Sequence, residues 1–308
     1  MINYSIIIPH YNIPDLLFRC LKSIPERDDV QIIVVDDLSP NVDKIVQDIK
    51  GISRNNIEFY IVDEKLGAGH ARNIGIQKSL GEWLVFADSD DFFVENVDSI
   101  WDKYCKSDAD IIYFNVRSCY SDDTSHLYID NKDVFFERYA KDGDDRVFRL
   151  GYTEPWGKMI RRSLVINNNI KFQETLAHND FLFSVKTGIL AKKVMPVDLQ
   201  MYWYVFRKGS LGNHVGKEPI KKVEDRVRAF NAVDRFIKCY AIKTVDYLPA
   251  IPCRRVFLRD FKTFIKMLPF LKREGVSIFK VMYDIAAYAY RRLTKKKSLE
   301  IYDQFVLN

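Results

Sequence analysis

The chain of 308 residues carries 47 basic and 42 acidic side chains, is 47% hydrophobic, and has only 13 Gly and 10 Pro, which excludes collagen-like, low-complexity and wholly disordered classes. Its net charge of +5 is the difference between unlike parts: residues 1–216 hold 26 basic against 32 acidic groups, and residues 217–308 hold 21 against 10. An acidic body (−6) therefore carries a basic tail (+11).

The opening Tyr4-Ser5-Ile6-Ile7-Ile8-Pro9 reads as a strand, with no basic and apolar leader before it. SIIIP (5–9), QIIVVD (31–36), EFYIV (58–62), EWLVFA (82–87) and DIIYFNV (110–116) are short apolar runs of the kind that form strands buried on both faces. Between them, Leu16, Leu17, Cys20, Leu21 and Ile24, then Ile45 and Ile49, then Ala71, Ile74 and Leu80 mark three helices. The alternation predicts an α/β fold, a mostly parallel central sheet with helices on both faces. Residues 154–194 combine a turn-rich stretch with a helix that buries Phe181, Val185 and Ile189; MYWYVF (201–206) follows as a strand. Beyond 217 the spacing predicts basic amphipathic helices. One covers 255–268, with Phe257, Phe261, Phe264, Ile265 and Leu268 on one face and Arg255, Arg259, Lys262 and Lys266 on another.

No run approaches the roughly 18 apolar residues of a membrane-spanning helix. Five widely spaced cysteines without a CxxC pair (Cys20, Cys105, Cys119, Cys239, Cys253) read as reduced thiols of a cytosolic protein. The five histidines (His10, His70, His126, His178, His214) lack metal-ligand spacing and read as loop or surface residues.

In such sheets ligands sit beyond the carboxyl ends of the strands. Those ends run into PHYN (9–12), Asp36-Asp37-Leu38-Ser39, DEKLGAGHARN (63–73) and Asp88-Ser89-Asp90-Asp91. GAGHAR (67–72) is not a dinucleotide fingerprint: Arg72 occupies the third glycine position, and the segment follows the third strand, not the first. Asp88-Ser89-Asp90 is the sharper signal. Carboxylates at i and i+2 in an extended turn can divide labour, one holding a sugar hydroxyl and the other a hard cation that also takes phosphate oxygens.

The series SIIIPHYN, IIVVDDLS, LGAGHARNIGI and GEWLVFADSDD resembles, in order and spacing, the nucleotide-binding half of the family 2 inverting glycosyltransferases of GT-A fold. A looser likeness continues through WGKMIRRSLVINNNIKF, HNDFLF and YWYVFRKGSL to about residue 212. The resemblance implies a GT-A domain over 1–216, with a nucleotide-sugar half (1–120) and an acceptor half (121–216), and a helical extension over 217–308. It implies an enzyme that moves a sugar from a nucleotide-diphosphate-sugar, UDP by preference, to a growing surface glycan, lipid-linked by family habit. Pro9, Tyr11 and Asn12 would line the nucleoside pocket and Asp37 would accept from the base. Lys65 and Arg72 would offset diphosphate charge, Asp88 with Ser89 would hold ribose or sugar, and Asp90 would ligate Mn2+ or Mg2+. The catalytic base would be Asp180 of His178-Asn179-Asp180-Phe181, where Asn179 stands in place of the family's usual Glu; the bland alternative is a helix N-cap. Asp91 is either an acceptor contact or an N-cap. Trp156 is either a sugar-stacking face or core, while Lys158, Arg207 and Ser210 are similar to acceptor-side or loop positions.

The tail has two main readings, an anionic membrane surface on the inner face of the cell membrane or plain packing on the domain. Nucleic acid ranks last, since no binding motif accompanies the charge. Two other classes remain open: a non-catalytic nucleotide- or glycan-binding module on the same fold, and a sugar nucleotidylyltransferase. The latter wants a glycine-rich basic loop where PHYN stands.

Overall fold

A computed structural model describes residues 1–52, 54–121, 123–124, 127–128, 132–207, 219–244, 247–293 and 305–306. In chain order, β1 (Tyr4–His10), α1 (Pro14–Ser23), β2 (Val30–Asp36), α2 (Val42–Lys50), β3 (Ile57–Ile61), α3 (Ala68–Lys78) and β4 (Trp83–Phe86) form the first half. β1 lies between β2 and β4, and β3 flanks β2, all parallel. Every residue of β1, β2 and β4 is buried. That is why these strands read as continuous apolar runs with no alternation, each large side chain contributing about 1.5–3 kcal/mol on burial.

The second half contains β5 (Phe92–Phe93), α4 (Val97–Tyr104), β6 (Ile111–Tyr120), β7 (Leu127–Tyr128), α5 (Asp133–Asp142), a wide helical turn at Val147–Gly151, β8 (Lys158–Arg161), α6 (Arg162–Asn167), α7 (Phe181–Leu190) and β9 (Val194–Phe206). The sheet order is β3-β2-β1-β4-β8-β6-β9-β5, with β7 beside β6. Strand β8 is antiparallel to both β4 and β6, β9 is parallel to β6, and β5 is antiparallel to β9. The mostly parallel α/β sheet expected from the sequence is therefore present. Among the features not foreseen are β8, inside a stretch read as turn-rich, and the start of β9 at Val194 instead of 201.

The tail folds as α8 (Ile220–Lys238), α9 (Ala250–Arg259), α10 (Phe261–Arg273) and α11 (Ile278–Leu293). The helix expected over 255–268 is two helices. Asp260 leaves helical geometry and its carboxylate accepts from the Thr263 backbone N–H, capping α10. Helix α8 is not peripheral: Phe230, Val233 and Ile237 share a buried cluster with Leu150, Phe181 and Val185. A separate cluster joins α9, α10 and α11 through Cys253, Met267, Leu271 and Val281. No helix among the described residues is long and apolar enough to cross a membrane. All five cysteines are free.

Candidate active site

The end of β1 is fixed by a buried polar knot. His10 Nδ1 lies 2.7 Å from Asp36 Oδ2, and its Nε2 accepts from the Ile13 backbone N–H at 3.2 Å. A ring nitrogen that accepts carries no proton, so Nδ1 holds the hydrogen and donates it to Asp36. Asp36 also accepts from the Ser39 N–H and hydroxyl, each at 2.7 Å, and Ser39 Oγ in turn accepts from Asn12 N. Burial pushes the Asp36 carboxyl up, but the His10 and Ser39 donors outweigh it and hold the group below its ordinary value. The knot holds Asn12 and Leu38 at positive φ (52° and 61°). His10 is thus a buried structural residue, not the loop or surface histidine expected.

Buried Asp37 accepts from the backbone N–H groups of Leu66 and Gly67 at 3.1 Å, tying β2 to the N-terminus of α3. The glycines of GAGHAR have structural reasons. Gly67 caps α3 at φ 88°, and a Cβ on Gly69 would lie 2.1 Å from the Gln173 carbonyl. Lys65 Nζ sits 3.3 Å from the centre of the half-exposed Tyr11 ring. Tyr11, Asn12, Asp37, Lys65 and Pro9 therefore meet at the ends of β1 and β2.

Asp88 to Asp91 form a turn pinned from below by β9. The Asp88 N–H donates to the Tyr202 hydroxyl at 2.8 Å, and Asp91 accepts from that hydroxyl at 2.9 Å and from Val205 N at 2.7 Å. Asp91 is wholly buried, and Asn96, not Asp91, stands at the N-cap position of α4. Asp91 is therefore neither an acceptor contact nor an N-cap, as had been expected; it welds the turn to the sheet. Burial and the neighbouring Asp90 and Asp88 carboxylates push its carboxyl well up. Ser89 is also buried. Asp90 is pushed up by burial first and then by Asp88, and Arg207 opposes this from 3.5 Å. Its carbonyl accepts from Arg19 at 2.5 Å.

Buried Arg72 donates to Asp88 Oδ1 at 2.5 Å and to Asn179 Oδ1 at 2.8 Å. Its guanidinium thus spans the Asp88–Asp91 turn and the turn before α7. There Asp180 stands at the N-cap position of α7, but its side chain makes no capping hydrogen bond, which leaves the carboxylate uncommitted to the helix. Asp180 is partly exposed. Burial lifts it to about 6, with Arg72 opposing and Glu154 and Asp88 adding to the rise.

Beneath Asp180 lies a buried group that sequence reasoning did not assemble: Lys132 bonds Glu154 at 2.6 Å, and Lys158 Nζ donates to the Tyr152 carbonyl at 2.6 Å and reaches Ser184 Oγ at 3.4 Å. Lys158 is almost fully buried. Burial lowers it to about 7, against the attraction of Glu154 and Asp180. Trp156 is buried, stacked on Tyr202 and Tyr204 with ring centres 5.8 and 5.6 Å away. Neither residue has the surface an acceptor contact needs, which corrects both acceptor assignments; Trp156 is core. Ser210 and His214 lie outside the described residues, as does His126.

No three His, Cys, Asp or Glu side chains converge as a self-sufficient metal site among the described residues. The donor set at Asp88 and Asp90 is still suitable for a hard divalent cation: two adjacent carboxylates, one of them raised by burial and like charge. Such an ion would take its remaining oxygens from phosphates and water.

Carboxylates gathered at the strand ends of an α/β sheet place the candidate site where such folds bind ligands, and comparison with known proteins gives the family. A family model described as glycosyl transferase family 2 matches residues 5–172, so the chain belongs to that family and is a glycosyltransferase. It is 26% identical over 220 residues to the glycosyltransferase GlyG of Streptococcus pneumoniae, covering 67% of this chain and 72% of that protein. To the poly(ribitol-phosphate) beta-glucosyltransferase of Bacillus spizizenii it is 28% identical over 219 residues, covering 67% of this chain but 32% of the relative. The chain thus spans about a third of some of its curated relatives. Among solved structures, residues 1–349 of S. aureus TarS in complex with UDP-GlcNAc superpose with a TM-score of 0.67 at 17% identity, over 94% of this chain and 92% of that one. A Pyrobaculum calidifontis mannosyltransferase in complex with GDP-Man and Mn2+ gives 0.52 at 14% identity, over 96% and 88%. The shared fold is GT-A.

Proposed function

We propose that the chain transfers one sugar, with inversion, from a nucleoside-diphosphate sugar, UDP-linked by preference, to a hydroxyl of a growing surface glycan, working on the cytosolic side of the cell membrane. The observation that carries this is the span of Arg72 from Asp88 to Asn179, which sets Asp180 beside the turn that would hold the donor. A base poised near neutrality is what a weak hydroxyl nucleophile requires, and Asp180 at about 6 fits.

Tyr11 with Lys65 would cover the base and Asp37 would accept from it. Asp88, held by Arg72, would position ribose or sugar. Asp180 would take the acceptor proton as the hydroxyl oxygen attacks the anomeric carbon and the bond to the diphosphate breaks. One base and no covalent carboxylate gives inversion. Asp90, with Asp88, would hold Mn2+ or Mg2+, whose contribution is to neutralise charge on the departing diphosphate. A UDP preference is supported by TarS, solved with UDP-GlcNAc.

Thermal-shift screening of nucleotide sugars with and without Mn2+, followed by transfer assays with labelled donor, tests the reading. A donor that raises the melting temperature and is turned over only with a divalent ion supports it. No shift and no turnover with any donor refutes it.

A further inference from the structure

At 100° per residue, Ile278, Phe279, Met282, Tyr283, Ala286, Ala289, Tyr290 and Leu293 of α11 fall within one arc of about 140°. None of the eight is charged, and all are solvent-facing. Phe279 is 81% exposed, Tyr283 71%, Tyr290 65% and Leu293 84%. The opposite face is the one the fold uses: Val281 and Ile285 enter the cluster with α9 and α10, and Asp284 reaches Arg254 at 3.5 Å. A helix of 16 residues thus packs with one side and leaves the other, about 24 Å long, apolar and solvent-exposed. Isolated exposed apolar residues are ordinary, but a continuous aromatic and aliphatic strip marks an interaction surface.

The chemistry of the surroundings selects the occupant. Exposed Lys280 borders the strip. The neighbouring helices expose the same pairing of apolar and basic groups, Leu258 with Arg255 and Arg259 on α9, and Phe261 and Ile265 with Lys262 and Lys266 on α10. The sequence adds Lys295, Lys296 and Lys297 just beyond α11, in a segment whose net charge is +11 from residue 217 on. A protein partner of ordinary composition needs no such excess of positive charge, whereas an anionic bilayer rewards apolar insertion and basic flanks together.

We propose that the outward face of α11 is a membrane-docking surface that inserts Phe279, Tyr283, Tyr290 and Leu293 among the acyl chains of an anionic bilayer, with the basic residues of α9 to α11 on the headgroups. Docking does not depend on the role given to Asp180, so either can fail alone. It also accounts for how an enzyme without a described membrane-spanning helix would stay beside a membrane-held acceptor.

The test uses the full chain and vesicles of phosphatidylcholine with or without about 30% phosphatidylglycerol. Wild type should sediment with the anionic vesicles at low salt, bind the neutral ones at least tenfold less, and detach as ionic strength rises. A variant carrying Phe279→Asp and Tyr283→Asp should lose at least tenfold in partitioning, with an unchanged circular dichroism spectrum and melting curve, because both side chains lie outside the packed cluster. Lys262→Glu with Lys280→Glu should reduce binding to anionic vesicles alone. Absence of wild-type binding, equal binding to neutral vesicles, or unchanged binding by the Phe279→Asp, Tyr283→Asp variant overturns the proposal. So does a dimer in solution that this variant dissociates while neither protein binds vesicles.

Discussion

Arg72 and Asp88 are joined by a 2.5 Å hydrogen bond, and the same guanidinium holds Asn179. One buried cation therefore holds the Asp88 carboxylate and sits close enough to Asp180 to lower its proton affinity. Replacement by glutamine should weaken nucleotide-sugar binding and move the acidic limb of the kcat/KM profile upward, above about 6. A profile that stays in place would show that Arg72 does not act on the base.

Asp180→Asn should leave donor affinity within a few fold and reduce transfer by about 10²–10⁴, the range of a general base. In wild type, activity should rise with pH through about 6 as the carboxyl loses its proton, then level off. Near-wild-type transfer by the variant would remove Asp180 from the mechanism.

The same substitution should stabilise the fold at pH 7.5. Because burial raises the carboxyl from 3.8 to about 6, the folded chain binds this proton more tightly than the unfolded chain does. The stability it contributes is complete below 3.8 and is lost as the pH rises through about 6. Asparagine has no proton to lose, so a higher Tm is expected at pH 7.5 and no difference near pH 4. Calorimetry at the two pH values checks this; a lower Tm at pH 7.5 contradicts it.

Chelation with EDTA should abolish transfer and Mn2+ should restore it, while Asp90→Asn should blunt the response to added metal. Activity indifferent to EDTA would remove the cation from the reading of Asp88 and Asp90.

Phe230→Ala should cost about 3–5 kcal/mol, as large-to-small changes in a core do, since Phe230 packs edge-on to Phe181 with ring centres 4.9 Å apart. The loop before Asp180 is held to the same helix, where Leu176 N donates to Asp225. Denaturant titration gives the value. A loss under 1 kcal/mol would mean that α8 contributes little to holding α7.

Much of this was legible in the chain itself. The strands of the first half are apolar on both faces, so Ile6-Ile7-Ile8 and Ile32 to Val35 announce a buried parallel sheet, and the polar residues that follow each strand mark the cleft. Strand β8 was not legible: four residues, Lys158 to Arg161, begin and end on basic side chains and look like turn. The acceptor-side expectation for Trp156 and Lys158 came from the family resemblance, and the strand inserted between β4 and β6 draws both into the interior. Lys132, Glu154 and Tyr202 were missed because their pairing depends on contacts across the fold, and no local pattern distinguishes them from surface residues. The break at Asp260 was hidden because the apolar spacing runs through it unchanged.

The burial of Asp91 bears on how mutational data for this chain should be interpreted. Alanine at Asp91 or Lys158 would empty a desolvated polar site and deform the turn or helix above it, silencing the enzyme as completely as alanine at Asp180. A scan scored on product formation alone would enrol all three as catalytic. Measures of foldedness, such as protease resistance of each variant, separate the scaffold carboxylate and the scaffold lysine from Asp180, the group proposed as the base.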